Sequence, residues 1–381
     1  MVVCKQQNNH KLIGVYGGIR VSMRMTFRWY GENDDKITLQ QIDQIPGMDG
    51  IVGALFDIPV GEVWPVEPLL HIKKIAEENN LVFKDLESIN VHEDIKLGLP
   101  SRDQYIENYI TSLKNAAKAG IQMVCYNFMP IFDWTRTDLA KPLYDGSTAL
   151  AYDYHVIEGK TPQDMAKEIL DNSNGFVLPG WEPERLKELS HLFEQYEGMD
   201  EDGLRKNLSY FLNAIVPVAE ELGIKMAIHP DDPPKSVFGL PRIVKNESDL
   251  DKIAAMVDSP SNGFTICTGS LGSNRQNDIP HIIRKFGKMN RVNFLHVRNI
   301  QVHEPWVFNE VAHKSQFGSL DMYEIMKAAY DIHFDGPIRP DHGRMIWNEE
   351  GRPGYGLYDR ALGANYILGL WDAINRICGQ L

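Results

Sequence analysis

Eight short apolar runs punctuate the chain, and the last four each end on a side chain able to bind a metal: Lys225-Met-Ala-Ile-His229, Phe264-Thr-Ile-Cys267, Val292-Asn-Phe-Leu-His296 and Pro337-Ile-Arg-Pro-Asp341. The gaps of 38, 29 and 45 residues approach the roughly 30 residues of one strand-plus-helix unit in a barrel of about 250 residues. The earlier runs, Met25–Tyr30, Gly50–Asp57, Leu81–Glu87 and Ile121–Tyr126, are apolar or alternating and of strand length. Helical patterns intervene: Asp103–Ala119, a stretch in which Leu204, Leu208, Phe211, Ile215, Ala219 and Leu222 share one face, and a closing Asp359–Cys378. Pro217 is expected to bend the second of these. Eight strands alternating with helices predict an α/β fold, a (β/α)8 TIM barrel. Catalytic groups in such barrels gather at the C-terminal strand ends, so His229, Cys267, His296 and Asp341 are expected to converge on one metal ion.

Residues 23–381 are read as a single barrel domain and residues 1–22, which carry no period, as an extension outside the fold. The connection from Asp133 to Glu201 is unusually long, and such connections are lids or carry their own helices. It is expected to be a partly helical insertion after the fourth strand, with a helix over Trp181–Tyr196, acting as a mobile cap over the barrel mouth. In a chain of 381 residues, 39 Lys+Arg against 52 Asp+Glu give a net charge of −13 without a basic run, which argues against a nucleic-acid surface. No apolar stretch reaches the length of a membrane span. Cys4, Cys125, Cys267 and Cys378 stand singly, which suggests neither disulfides nor a zinc ribbon. A cytoplasmic protein with no membrane partner is expected.

Single residues admit ordinary readings as well as functional ones. His229 precedes Pro-Asp-Asp-Pro-Pro, a stiff turn suited to a ligand, yet a strand-end histidine also serves as a hydrogen-bonding cap. Cys267 alone reads more readily as a buried inert thiol, the commoner fate of a cysteine. Arg298, two residues past His296, is a candidate carboxylate clamp. Asp341-His342-Gly-Arg344 sets a carboxylate, an imidazole and a guanidinium at one strand end. Tyr355, between Gly354 and Gly356, is either a turn tyrosine or an acid/base group at a hinge. Trp29 fits the core as well as a sugar-stacking wall, and His92 and Asn127 also follow apolar runs. No G-x-S-x-G elbow occurs, which disfavours a serine hydrolase.

Taken together the residues resemble the mannonate dehydratase family, among the xylose-isomerase-like barrels. The matching phrases include Arg28-Trp-Tyr-Gly31, Val91-His-Glu-Asp94, Cys125-Tyr-Asn-Phe-Met-Pro130, Ala227-Ile-His-Pro-Asp-Asp-Pro-Pro234, Pro340-Asp-His-Gly343 and Pro353-Gly-Tyr-Gly-Leu-Tyr-Asp-Arg-Ala-Leu-Gly363, and they run from Met25 to the C-terminus. The resemblance implies a hydro-lyase that converts D-mannonate to 2-keto-3-deoxy-D-gluconate and water in hexuronate catabolism. It also implies Mn²⁺ as the metal, although thiolate and imidazole suit Fe²⁺ or Zn²⁺ at least as well. His342 and Tyr355 would then be the acid/base pair, with their order left open. Arg298, Arg344, Trp29, His92 and Asn127 would hold the sugar acid, and the enzyme would be a homo-oligomer, a dimer. The alternatives are a metal-dependent sugar isomerase or epimerase on the same barrel, since fold does not fix function, and a non-catalytic sugar-acid-binding protein.

Overall fold

The computed structural model describes residues 23–158 and 189–379. The N-terminal extension and the first half of the expected helix over Trp181–Tyr196 lie outside the described residues; within that helix, Leu189–Gln195 is helical. Among the described residues, twelve strands follow in chain order: β1 (Arg24–Arg28), β2 (Gly50–Gly53), β3 (Val82–Glu87), β4 (Met123–Tyr126), β5 (Asp138–Pro142), β6 (Thr148–Asp153), β7 (Lys225–Ile228), β8 (Asn262–Cys267), β9 (Val292–His296), β10 (Ile300–Glu304), β11 (Val307–Glu310) and β12 (Pro337–Arg339). Eight of them close into a parallel barrel in the order β1-β12-β9-β8-β7-β4-β3-β2. All eight apolar runs are barrel strands.

Strand periodicity explains what faces inward. Side chains alternate across a strand with period two, and Val52, Met123, Cys125, Ala227 and Phe294 form a small buried cluster of their own. Two residues beyond Ala227 is His229, and two beyond Phe294 is His296, so the strands' own alternation turns both histidines into the barrel. Outside, helices bury their apolar stripes on the strands. Helix Glu201–Glu221 runs through Pro217, buries Leu204, Leu208, Phe211 and Ile215, and begins where the Asp200 side chain accepts from the Gly203 amide at 2.8 Å. Helix Tyr358–Cys378 ends the fold.

The long connection after β4 is not only helical. It first forms the β5–β6 hairpin, which turns through Asp145-Gly146, with Gly146 at φ +82° and the Leu143 amide donating to the Ser147 carbonyl at 2.8 Å. β6 pairs antiparallel with β11, which pairs with β10, both from the connection after β9. The result is a four-stranded antiparallel sheet, β10-β11-β6-β5, assembled from two distant segments. Reciprocal backbone hydrogen bonds between Thr148 and Met345, at 3.1 and 2.8 Å, tie it to the loop after β12.

Candidate active site

The strand ends open into a cavity lined by, among others, His229, Asp341, His342 and Tyr355. At its base His229, Cys267 and His296 place ligand-capable atoms within 4.8 Å of one another. His229 Nε2 is 3.2 Å from His296 Nδ1, and Asp341 lies 3.6 Å from that same nitrogen and 3.4 Å from Cys267 Sγ. The four strand-end residues therefore form one contiguous group, buried except for a partly exposed His229. The His229 Nδ1 faces only the Pro230 carbonyl, at 2.7 Å. A carbonyl cannot donate, so Nδ1 carries a proton and Nε2 is the nitrogen turned to the cluster.

Charges organise this centre. Burial would pull the His229 pKa down, but the neighbouring Cys267, Glu87 and Asp341 outweigh it and push it up to about 9. Burial and the Arg339 cation hold His296 well below its usual value, so it stays neutral. Burial would raise Asp341, yet the cations Arg339 and Arg298, with the His342 and His296 rings facing it, hold it well below the usual carboxylate range. Arg339 and Arg298 meet its two oxygens at 2.6 and 2.8 Å. A carboxylate has about four lone-pair sites, so both contacts leave room for a cation. A second group, Glu87, Cys125 and His296, has metal-compatible spacing, but Arg339 already sits 2.9 Å from Glu87. Burial also pushes the Cys125 thiol well above its usual value, leaving it protonated. The donor chemistry of the first group, two imidazoles, a thiol and an anionic carboxylate, is the one that fits a divalent ion.

Beside it, His342 Nε2 and the Tyr355 hydroxyl are 2.8 Å apart. On the other side of the ring Nδ1 is 3.2 Å from Glu310 Oε1. Burial would raise Glu310, but Arg298 and His342 keep it below its usual value and ionised. Tyr355 is pushed well above its usual value by burial and by Tyr30, so it stays a phenol.

The other expected substrate contacts are distributed differently. Asn127 lines the cavity, its Oδ1 accepting from the Met129 amide at 3.2 Å. Trp29 is buried on the far face of its strand and donates to the Ile37 carbonyl. His92 caps helix Glu93–Leu97 and stacks on Tyr105. Arg344 is held by Asp359 and Asp145, both at 2.8 Å, outside the cavity lining. Arg298 is fully buried and paired with Glu310, Asp232 and Asp341. These four have structural occupations that take them out of the cavity wall. Sequence reasoning missed Arg28, Tyr30, Glu87, Trp134 and Arg339, which do line it. A signal existed for two of them: once Trp29 is assigned to the outer core, alternation turns Arg28 and Tyr30 inward. Glu310 had none, because its place depends on a sheet built from remote segments.

The profile of the family described as D-mannonate dehydratase (UxuA) matches residues 23–380. The chain belongs to the D-mannonate dehydratase family. It is 58% identical over 355 residues to the mannonate dehydratase of Thermotoga petrophila, covering 93% of this chain and 99% of that one. It is 59% identical to that of Geobacillus thermodenitrificans over 92% of this chain and 95% of the relative. A solved mannonate dehydratase from Streptococcus suis superposes with a TM-score of 0.85 at 47% identity, covering 94% and 96% of the two chains. D-psicose 3-epimerase from Clostridium cellulolyticum, 14% identical with a TM-score of 0.53 over 92% and 99% of the chains, shares the fold alone. The expected family, and with it a hydro-lyase on a xylose-isomerase-like barrel, is thus met. Among the described residues no helix of this dehydratase is long and apolar enough to cross a membrane.

Proposed function

We propose that the chain dehydrates D-mannonate to 2-keto-3-deoxy-D-gluconate and water, in hexuronate breakdown, with a divalent ion held by His229, Cys267, His296 and Asp341. The observation that carries this reading is the 2.8 Å contact between His342 and Tyr355 beside that cluster. Mn²⁺ is the preferred ion by family, with Fe²⁺ compatible with the same donors. When bound, such an ion supplies positive charge against the negative charge that builds on the substrate carboxylate as the C2 proton leaves.

The chain's own groups divide the proton transfers. Glu310 is ionised and can only accept, so the His342 proton sits on Nδ1 and Nε2 keeps its lone pair. His342 is therefore the base that takes the C2 proton. Tyr355, a phenol, donates its proton to the C3 hydroxyl, which departs as water while a double bond forms between C2 and C3. The resulting enol becomes the 2-keto product. The proton now on His342 Nε2 returns to the Tyr355 oxygen across the same 2.8 Å, which restores both groups. Asp133 and Trp134 from the long connection line the cavity, which supports its role as a cover that excludes water.

Incubation of the Mn²⁺-loaded protein with D-mannonate is expected to release a 2-keto-3-deoxy acid. Isomerisation of ketoses without that product would instead favour the epimerase-like alternative.

A further inference from the structure

We infer that Arg28, at the end of β1, is the group that recognises the substrate's carboxylate. This rests on the sugar-acid reading above and names the residue that enforces it. Four arginines around the cavity are already matched to protein anions, and buried Arg360, which has no ion pair among the described residues, spends its N–H groups on the carbonyls of Gly356, Arg28 and Tyr355 outside the cavity lining. Arg339 meets Glu87 and Asp341, Arg136 meets Asp232 bidentately at 2.9 Å, Arg298 meets three carboxylates, and Arg344 meets Asp359 and Asp145. Arg28 differs from all of them. It is 6% exposed, it lines the cavity, and its Nη1 is buried with no hydrogen-bond partner.

A guanidinium does not shed its proton inside a protein, so burying one without an anion is unfavourable. Such a cation is retained where a ligand supplies the missing charge, and its fork matches a carboxylate in two parallel hydrogen bonds. What holds Arg28 without neutralising it is aromatic. Its guanidinium carbon lies 4.9 Å from the Tyr30 ring centre and 5.3 Å from that of Phe56, contacts that orient a cation through the ring faces and leave its N–H groups for a partner. The Tyr30 ring in turn meets Tyr355 edge-on at 5.1 Å. The anion site is therefore one aromatic ring away from the acid/base pair, a layout suited to a substrate whose carboxylate carbon adjoins the carbon that loses its proton. A neutral sugar or polyol in the same cavity leaves Arg28 unsatisfied, so selectivity for acids over neutral sugars follows from this residue.

The experiment compares wild type with Arg28→Met, which keeps length and apolar bulk, and Arg28→Lys, which keeps charge without the fork. Binding of D-gluconate and of D-mannitol, the acid and neutral probes, is measured calorimetrically on Mn²⁺-loaded protein alongside D-mannonate turnover. The expected result is a loss of D-gluconate affinity on the order of 10- to 100-fold in Arg28→Met, the range for a hydrogen bond to a charged group. A smaller loss is expected in Arg28→Lys, with D-mannitol binding unchanged in both. Arg28→Met that melts like wild type and binds D-gluconate equally well overturns the assignment, as does a wild type that does not prefer the acid. If Arg28→Met fails to fold, Arg28→Lys decides by the same comparison. A wild type that leaves D-mannonate unreacted while Arg28→Met still loses D-gluconate would remove the dehydration reading and uphold the anion site.

Discussion

Asp341 sits at φ +59°, a left-handed conformation that costs most L-residues on the order of 1–3 kcal/mol and that aspartate tolerates better than most. Arg298 and Arg339 clamp its carboxylate, and that conformation turns it toward Cys267 while its neighbour His342 reaches Tyr355. Two outcomes belong to this scale. Cys267→Ser is expected to lose bound metal during dialysis against a weak chelator under conditions in which wild type keeps it, since a hydroxyl does not readily become anionic near neutrality; equal metal content by elemental analysis would remove Cys267 from the ligand set. His342→Asn should retain metal and melting temperature while turnover drops on the order of 10²- to 10⁴-fold, the usual span of acid/base contributions. A metal-loaded His342→Asn enzyme with wild-type kcat would contradict the base assignment.

The hairpins decide how those residues are supported. β11 brings Glu310 to His342, and β6 brings buried Leu150 against the loop that carries Tyr355. Gly354 in that loop has φ +78°, and a Cβ there would lie 2.4 Å from Leu150 Cδ1. Gly354→Ala thus combines an unfavourable backbone with a clash. It is expected to lower stability by more than the roughly 0.5 kcal/mol of an ordinary surface change and to reduce kcat by displacing Tyr355. Urea unfolding and steady-state rates check both, and unchanged values of each would show that the loop is not held by β6. For the same connection, we expect limited proteolysis between residues 133 and 201 to slow when Mn²⁺ and D-mannonate are present together. Equal cleavage with and without ligand would speak against a cover.

Across the whole molecule, a buried network of Arg136, Arg298, Asp232 and Glu310 joins the barrel to the four-stranded sheet. Burial would raise both acids, but the two arginines bring Asp232 far below its usual value, and Arg298 with His342 lowers Glu310. Because their folded values lie beneath the unfolded carboxylate values of about 4, ionisation favours the folded state. The stabilisation is complete above those unfolded values and is lost as pH falls through the folded ones. The contribution of these two acids to the melting temperature is therefore expected to be constant near neutrality and to be lost below about pH 4. Asp232→Ala, which leaves two buried guanidinium groups short of an anion, should cost about 3–5 kcal/mol in urea unfolding; a change within error would mean that water or another acid replaces it.

What the amino-acid sequence determined by itself was the barrel and the candidate ligand positions. Both follow from local periodicity: eight apolar runs at the spacing of strand-helix units, each ending where a barrel presents its mouth. The sheet that carries Glu310 escaped it, although Asp145-Gly146 is a hairpin signal, because pairing β6 with β11 joins segments about 150 residues apart that no local pattern links. Nor could composition say which cavity-lining arginine lacks an anion. Arg298 and Arg344 looked free at strand ends, whereas only three-dimensional packing shows them paired and Arg28 unpaired. Proton location on His342 is decided the same way, by an acceptor-only carboxylate that reaches it across the fold. Strand identity is a property of short windows, but charge balance is a sum over neighbours in space, and only the tertiary structure chooses those neighbours.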